Sequence, residues 1–524
     1  MANELLGLQL LLYGLCGIGI LWVYVLHTAP SLDPQGLVVQ ILWEEESPSP
    51  SPDAHLTVAS PFPFDVSCHA LRDINPPRIA ASRPDLYEWE KEESTYLHRF
   101  IQSRGQRPTP VRRKRLTDPR RINILLYTNH FHTTWSSFAG PILRQLSQTC
   151  GPSAGFNFTC GISHQTTSDS SLAHHEAQAY YADTDILLFV GVDLSIADQI
   201  RLNHTVWTTS DRPAVALLTL ESSHNSRANA YFRPSPPGHP HPLQYTDILV
   251  TYSQDAPHSV PINYFYGLVE DCPGMRSGSV AMRARAMRYP IATCISPYIA
   301  HQTPSNPDEV VSALFISNCV QWRLQLLRDM HELGMRFDSY GSCLPEWRPA
   351  AGGHFVGKSM ADKIAISSQY KFVFAIENNL ATDYVTEKFF QPFLIPTSLP
   401  VYIGAFNAHR YAPAPHSFID FSDFPSLEAF VDYIYEVNHN DTLYRSYFHW
   451  RTPAALQRLV KEERRAADDP KLTFPNQCVE ERPSTLSPWF ALAKENFIRD
   501  DASSLFCRLC RYGGGNPHTP PLTN

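Results

Sequence analysis

The stretch 370–405, YKFVFAIENNLATDYVTEKFFQPFLIPTSLPVYIGA, constrains the fold more tightly than any other part of the chain. Residues 372–376 (FVFAI) and 399–403 (LPVYI) are short, continuously apolar runs, the pattern of strands buried on both faces of a parallel sheet. Between them Asp383 or Thr386 can cap a helix that begins near Val385. Glu377, Asn378 and Asn379 follow the first run with side chains suited to a binding loop, at the strand end where open α/β sheets place their ligands. A helix start presents free backbone N–H groups and the positive end of a dipole, which suits a phosphate. Lys388 adds a mobile point charge there, and Glu387 can accept hydrogen bonds from hydroxyl groups. An ordinary strand–helix–strand unit with a surface ion pair satisfies the same pattern, so the spacing alone names no chemistry.

The ordered string FAIENNLATDYVTEKFF is more specific. It closely resembles the donor-binding signature of the inverting α-1,3-fucosyltransferases, FxxxFENSxxxDYxTEK in most members. Glu377, Asn378, Asp383, Tyr384, Thr386, Glu387 and Lys388 all match it. The resemblance implies an α/β fold of two facing Rossmann-like domains, the glycosyltransferase B arrangement. Residues 121–300 would bind the acceptor, and residues 301–455 would bind GDP-fucose as donor substrate. Asn378 and Glu387 would address fucose and ribose hydroxyls, with Glu377, Tyr384, Thr386 and Lys388 completing the donor pocket. The expected acceptor is a glycoprotein or an oligosaccharide, modified at the 3-OH of an N-acetylglucosamine. No cofactor is required on this scheme, and Mn2+ or Mg2+ would at most stimulate. Two alternatives stay open: an inverting transferase of another sugar nucleotide, and a catalytically silent, membrane-anchored glycan-binding homologue.

Further apolar runs at 122–127 (INILLY), 185–190 (DILLFV) and 215–220 (VALLTL) read as strands of a first parallel sheet. The third ends in Glu221, at a carboxyl end where sheet enzymes place chemistry. An inverting displacement needs one general base to take the acceptor hydroxyl's proton, and Glu221 matches the family element whose glutamate has that role. His224 is the substitute. Tyr252 and Asp255 align with a family element of the acceptor region, but Ser253 and Gln254 replace its two arginines, which puts acceptor preference in doubt. In the second half, 313–317 (ALFIS) is a strand followed by a helical stretch that contains Arg323. The resemblance assigns Arg323 to the donor pyrophosphate, a task that suits a planar fork of fixed charge. Arg328 is its rival. The Asp183-Thr184-Asp185 triplet precedes a strand core and reads as a strand-edge pair rather than a metal site.

The remaining features concern the compartment. Residues 5–26 carry no charge, enough as a helix at ~1.5 Å per residue to cross about 30 Å of hydrocarbon, and read as a transmembrane signal anchor behind a short tail at 1–4. A cleaved signal peptide is disfavoured by Pro30. Residues 27–120, with SPSPSP and PFPF, read as an extended stem. Cleavage near Arg115, in the run Arg112-Arg113-Lys114-Arg115, would release a soluble form. Sequons at Asn157, Asn203 and Asn440 fit a lumenal body in the Golgi. Of the 11 cysteines, Cys16 falls in the apolar segment and the rest permit disulfides. Cys507 and Cys510, within FCRLC of the segment 456–524, resemble the terminal CRLC of plant-type members and are candidates for a structural disulfide element. A net charge of −8 argues against a nucleic-acid partner.

Overall fold

The computed structural model describes residues 121–126, 159–164, 184–190, 213–219, 222, 247–252, 259–261, 265, 268, 271–273, 279, 282, 285, 286, 288–299, 311–349, 359–468, 489, 507, 509 and 510. Of the two units into which the chain divides, Met1–Asp65 and Val66–Asn524, all of these lie in the second.

The apolar runs of the first half form a six-stranded sheet: β1 (Arg121–Leu126), β2 (Thr159–His164), β3 (Ile186–Val190), β4 (Ala214–Thr219), β5 (Ile248–Thr251) and β6 (Ser259–Pro261). Its order is β2-β1-β3-β4-β5-β6, and every pair is parallel. Successive residues such as Ile186, Leu187 and Leu188 are all buried, because both faces are covered and no polar alternation is required. An aspartate stands at the entry of two of these strands. Asp185 accepts a hydrogen bond from the Asn123 amide at 2.7 Å, and Asp247 accepts one from the Val215 amide at 2.8 Å. The second acid of the Asp-Thr-Asp triplet is therefore a clamp between adjacent strands; Asp183 lies outside the described residues.

The second half forms a five-stranded parallel sheet from β7 (Val311–Leu314), β8 (Arg336–Ser339), β9 (Phe372–Ile376), β10 (Leu399–Ile403) and β11 (Ile419–Asp420), in the order β11-β10-β9-β7-β8. Helices α2 (Gln321–Glu332) and α3 (Met360–Ser367) supply the first crossovers. Ser359 and Asp362 close a reciprocal capping box at the start of α3. Both sheets follow the doubly wound order in which the second strand lies outside the first and the third lies on its other side. Such a sheet has a crevice at the carboxyl ends of its first and third strands, where the winding direction reverses. In the second sheet those strands are β7 and β9. Gly341, just after β8, is required by close approach: a Cβ there would lie 1.9 Å from the Ile316 carbonyl oxygen.

The structure departs from the sequence reading at two helices. The helix expected near Val385 is a single turn, α4 (Glu387–Phe390), continued as a 3-10 segment Gln391–Leu394. The proline at 392 and the paired phenylalanines, which bury toward the sheet, leave no longer helical register to follow. Second, the boundary at 455 falls inside helix α7 (Pro453–Asp468). Glu463 of α7 is 2% exposed and accepts from the amides of Ile291 and Ala292, at 2.7 and 3.1 Å, in the short helix α1 (Pro290–Cys294). The 456–524 segment is therefore no loose tail. Its Trp489 is fully buried, donates to the Tyr411 carbonyl at 2.8 Å and packs edge-on against Phe265 and Phe393. Cys507 and Cys510, the disulfide candidates, are both disulfide-bonded: Cys510 bonds Cys160 of β2, and Cys507 bonds a cysteine outside the described residues. This ties the C-terminal segment to the first sheet. Cys272–Cys294 and Cys319–Cys343 are further disulfides.

Residues 5–26, the basic run ending at Arg115, Asn157 and Asn203 lie outside the described residues. Among those that are described, no helix is long and apolar enough to cross a membrane. Asn440 is exposed and caps the short helix α6 (Asp441–Ser446) by accepting from the Leu443 amide at 3.0 Å.

Candidate functional site

The motif residues assemble around the crevice of the second sheet. β9 ends at Ile376, and Glu377 enters a fully buried position. Its amide donates to the Ile403 carbonyl of β10 at 2.8 Å, so the strand pairing continues through it and turns its side chain under the loop. Space for that side chain depends on Gly404, where a Cβ would lie 2.7 Å from Glu377 Cγ and 2.2 Å from the Tyr402 hydroxyl.

The Glu377 carboxylate meets Thr386 twice. One oxygen accepts from the Thr386 amide at 2.8 Å, and the Thr386 hydroxyl lies 2.9 and 2.7 Å from the two oxygens. Thr386 is also the N-cap of α4, accepting from the Lys388 amide at 3.3 Å, and its hydroxyl accepts from Lys388 Nζ at 3.0 Å. Of the two candidate caps, the structure selects Thr386. Lys388 Nζ reaches Glu387 at 2.9 Å and Glu377 at 3.5 Å. One cation thus sits between one buried carboxylate and one at the surface.

Electrostatics follow from that placement. Burial pushes the Glu377 carboxyl above its ordinary value, against the pull of Lys388 and the Thr386 hydrogen bonds. Burial disfavours charge on Lys388 too, but Glu387 and Glu377 outweigh it and hold the ammonium above its ordinary value. Burial acts upward on Glu387, and Lys388 brings it below the usual carboxylate range. At neutral pH the site therefore presents a fixed ammonium, 28% exposed, beside an ionised carboxylate that is 40% exposed.

Arg323 lies beneath the same loop. It is 1% exposed; one terminal nitrogen donates to the Ile376 carbonyl at 2.9 Å and the other to the Asn318 carbonyl. Those carbonyls belong to the last residue of β9 and to the loop after β7, the two lips of the crevice, so the guanidinium staples them together. Burial lowers its pKa to about 10, which leaves it charged. Its Nε has no hydrogen-bond partner among the described residues, and the same holds for the buried Asn378 Oδ1 and Asn379 Nδ2. Three such groups around one loop are unusual, because buried polar atoms are nearly always satisfied. Arg328, the rival, is only partly buried farther along α2.

Asp383 adopts φ 65, a left-handed conformation that is costly for most side chains. Its amide donates to Asn407 Oδ1 at 2.9 Å, while its carboxylate accepts from Asn407 Nδ2 at 2.8 Å and from the Tyr411 hydroxyl at 2.7 Å. This clamp holds the loop that delivers Tyr384, itself 1% exposed. The Tyr384 ring packs edge-on against Tyr252 of the first half, with centroids 4.9 Å apart. Tyr252, read as an acceptor-region residue, thus touches the loop that carries the motif. Glu221 and Asp255 lie outside the described residues; Ser222, next to the former, is fully buried just past β4.

Several supporting residues carried no sequence signal. Trp322 donates to the Asn378 carbonyl at 3.2 Å, and Asn407 and Tyr411 secure Asp383. Their partners are 56, 24 and 28 residues away, beyond any local periodicity. Among the described residues no group of three or more His, Cys, Asp or Glu could hold a metal ion.

A buried acid, a capping threonine and a cation gather at the carboxyl-end crevice of a doubly wound sheet, the place where open α/β sheets bind their ligands. Residues 306–483 match the family model of glycosyltransferase family 10 (fucosyltransferase) C-term, and this part of the chain is a domain of that family. The glycoprotein 3-alpha-L-fucosyltransferase A of Drosophila melanogaster is 35% identical over 144 residues, covering 26% of this chain and 27% of that protein. The alpha-(1,3)-fucosyltransferase 4 of Homo sapiens is 34% identical over 116 residues, covering 20% and 22%. The chain thus spans about a quarter of the length of the curated relatives it matches. A crystal structure of an alpha1,3-fucosyltransferase with GDP-fucose aligns over 67% of this chain and 86% of that one, with 14% identity and a TM-score of 0.36, a likeness too slight to argue from.

Proposed function

We propose that this chain is a fucosyltransferase that moves L-fucose from GDP-fucose, with inversion, to the 3-OH of an N-acetylglucosamine in a glycan. The observation that carries the reading is the crevice between β7 and β9, where Lys388 stands over a buried Glu377–Thr386 latch within a family 10 domain. The donor diphosphate would lie at Lys388, with Arg323 contributing fixed charge from beneath the loop. Asn378 and Asn379 would offer their amide atoms to the ligand, and Glu387 would accept from sugar hydroxyls. Tyr384 would line the pocket where the halves meet, in a facing, glycosyltransferase B-like arrangement supported by the Tyr252–Tyr384 and Phe265–Phe390 contacts.

In the proposed step Glu221 takes the proton of the acceptor hydroxyl as its oxygen bonds to the anomeric carbon. The bond from that carbon to the β-phosphate oxygen breaks on the opposite face, and GDP departs with the electron pair. Lys388 and Arg323 stabilise the charge growing on the diphosphate, so a divalent ion is stimulatory at most. The reaction would take place in the Golgi lumen behind the N-terminal anchor. Ser253 and Gln254, where the family carries arginines, favour a second reading in which the acceptor differs from the common N-glycan ones.

The test is GDP release by the purified full chain, given GDP-fucose and a panel of N-glycan and peptide-linked acceptors, with EDTA present and beside Glu221→Gln. Acceptor-dependent release that survives chelation and disappears in the variant is the expected result. Protein that binds no GDP-fucose overturns the donor assignment. Release unaffected by Glu221→Gln overturns the base.

A further inference from the structure

Gln391 follows the single turn α4 directly, and its carboxamide is held between opposite charges. Its Oε1 accepts from Lys363 Nζ at 2.5 Å, and its Nε2 donates to Asp271 Oδ2 at 2.5 Å. Lys363 stands in the first turn of α3, its ammonium 5.1 Å from the centre of the Phe315 ring just past β7. Asp271 belongs to the first half of the chain, beyond β6. An amide has one accepting and one donating end, so a cation on one side and an anion on the other fix its orientation. The three groups thus form a bridged ion pair that runs from a helix of the second sheet, through the exit of the donor turn, into the first half.

The neighbourhood shows what this bridge holds. Phe390, the residue before Gln391, packs edge-on against Phe265 of the first half with centroids 5.3 Å apart. Lys388 lies three residues before Gln391, on the same short turn, so a shift of Gln391 moves Lys388 as well. With only four residues in α4, the helix itself supplies little rigidity. Burial lowers the Lys363 pKa to about 8, with Glu387 and Asp271 working against that fall and Lys388 adding to it, so its charge is felt at the donor turn.

We propose that Asp271, Gln391 and Lys363 act as a positioning relay that fixes the donor turn against the first half, and thereby sets the spacing between donor and acceptor. This rests on the fucosyltransferase reading above. None of the three needs to touch substrate. The relay would act through Lys388 and Tyr384, and a shift of about 1 Å at such a site can cost on the order of a hundredfold in rate.

The experiment is a reversal of polarity in the full chain. Gln391→Glu still accepts from Lys363 but places a carboxylate against Asp271. Adding Asp271→Asn restores a donor opposite it. Transfer rate and GDP-fucose affinity are measured for both, together with deuterium uptake over residues 384–394 and thermal midpoints as a folding control. The single variant should lose about tenfold or more in transfer rate with affinity nearly retained, and take up deuterium faster over the turn. The double variant should recover rate and protection to within about threefold of the parent. Wild-type rate and uptake in Gln391→Glu overturn the relay, as does failure of Asp271→Asn to restore them in folded protein. A parent that binds no GDP-fucose refutes the functional reading instead, and the uptake measurement then decides the relay alone.

Discussion

Thr386→Val removes a single oxygen from the centre of the site. That oxygen donates to the Glu377 carboxylate, caps α4 through the Lys388 amide and accepts from Lys388 Nζ. Valine keeps the β-branch and the volume, and the extended backbone at 386 (φ -100, ψ -171) accepts it without strain. Loss of an N-cap costs about 1 kcal/mol. Loss of a hydrogen bond to a buried carboxylate costs about 1.5–3 kcal/mol. The sum is about 2.5–4 kcal/mol, a large fraction of the ~5–15 kcal/mol that holds a domain folded. Thr386→Ser keeps the oxygen and deletes only a methyl group, for about 0.5–1.5 kcal/mol. Urea denaturation of the three proteins at neutral pH, without ligand, reads these differences. The Glu377 pKa is already raised by burial, so the folded state binds its proton more tightly and stability falls as pH rises through the folded value. Thr386→Val should steepen that fall. A loss below about 1 kcal/mol in the valine variant, or a serine variant as weak as the valine one, would show that the hydroxyl is not the hub the geometry makes it.

Two further outcomes are expected away from the donor loop. His409 stands 3.2 Å from Asp423 and 3.5 Å from Asp420; burial opposes its charge, but the two acids raise its pKa to about 9. A folded pKa above the unfolded value means stability present below about 6.5 and lost as pH rises toward about 9, so His409→Gln should flatten the pH dependence of the urea midpoint over that window. An unchanged slope would refute the assignment. Cys510→Ser opens the Cys160–Cys510 bond, which closes a separation of 350 residues, and should lower stability by about 3–5 kcal/mol in non-reducing denaturation, with reductant abolishing the difference. Equal midpoints with and without reductant in the parent chain would contradict it.

The strands were legible in advance because a doubly covered parallel strand needs only a short apolar run. FVFAI and LPVYI became β9 and β10 without a residue's shift, and INILLY, DILLFV and VALLTL became β1, β3 and β4 within a residue or so at each end. The motif from Glu377 to Lys388 was legible as an ordered set of residue types. Its internal division of labour was not. Burial alone decided that Glu377 latches Thr386, that Asp383 anchors Asn407 and Tyr411, and that Arg323 staples two carbonyls, since a charged side chain looks the same in a sequence whether it faces water or lies beneath a loop. The same holds for the C-terminal segment, where nothing local marks Cys160 as the partner of Cys510. Local composition dictates which residues extend into strands and turn into loops, because those preferences act over a few bonds. Which side chains become partners across 24 to 350 residues was settled only when the two sheets folded and brought them within reach of one another.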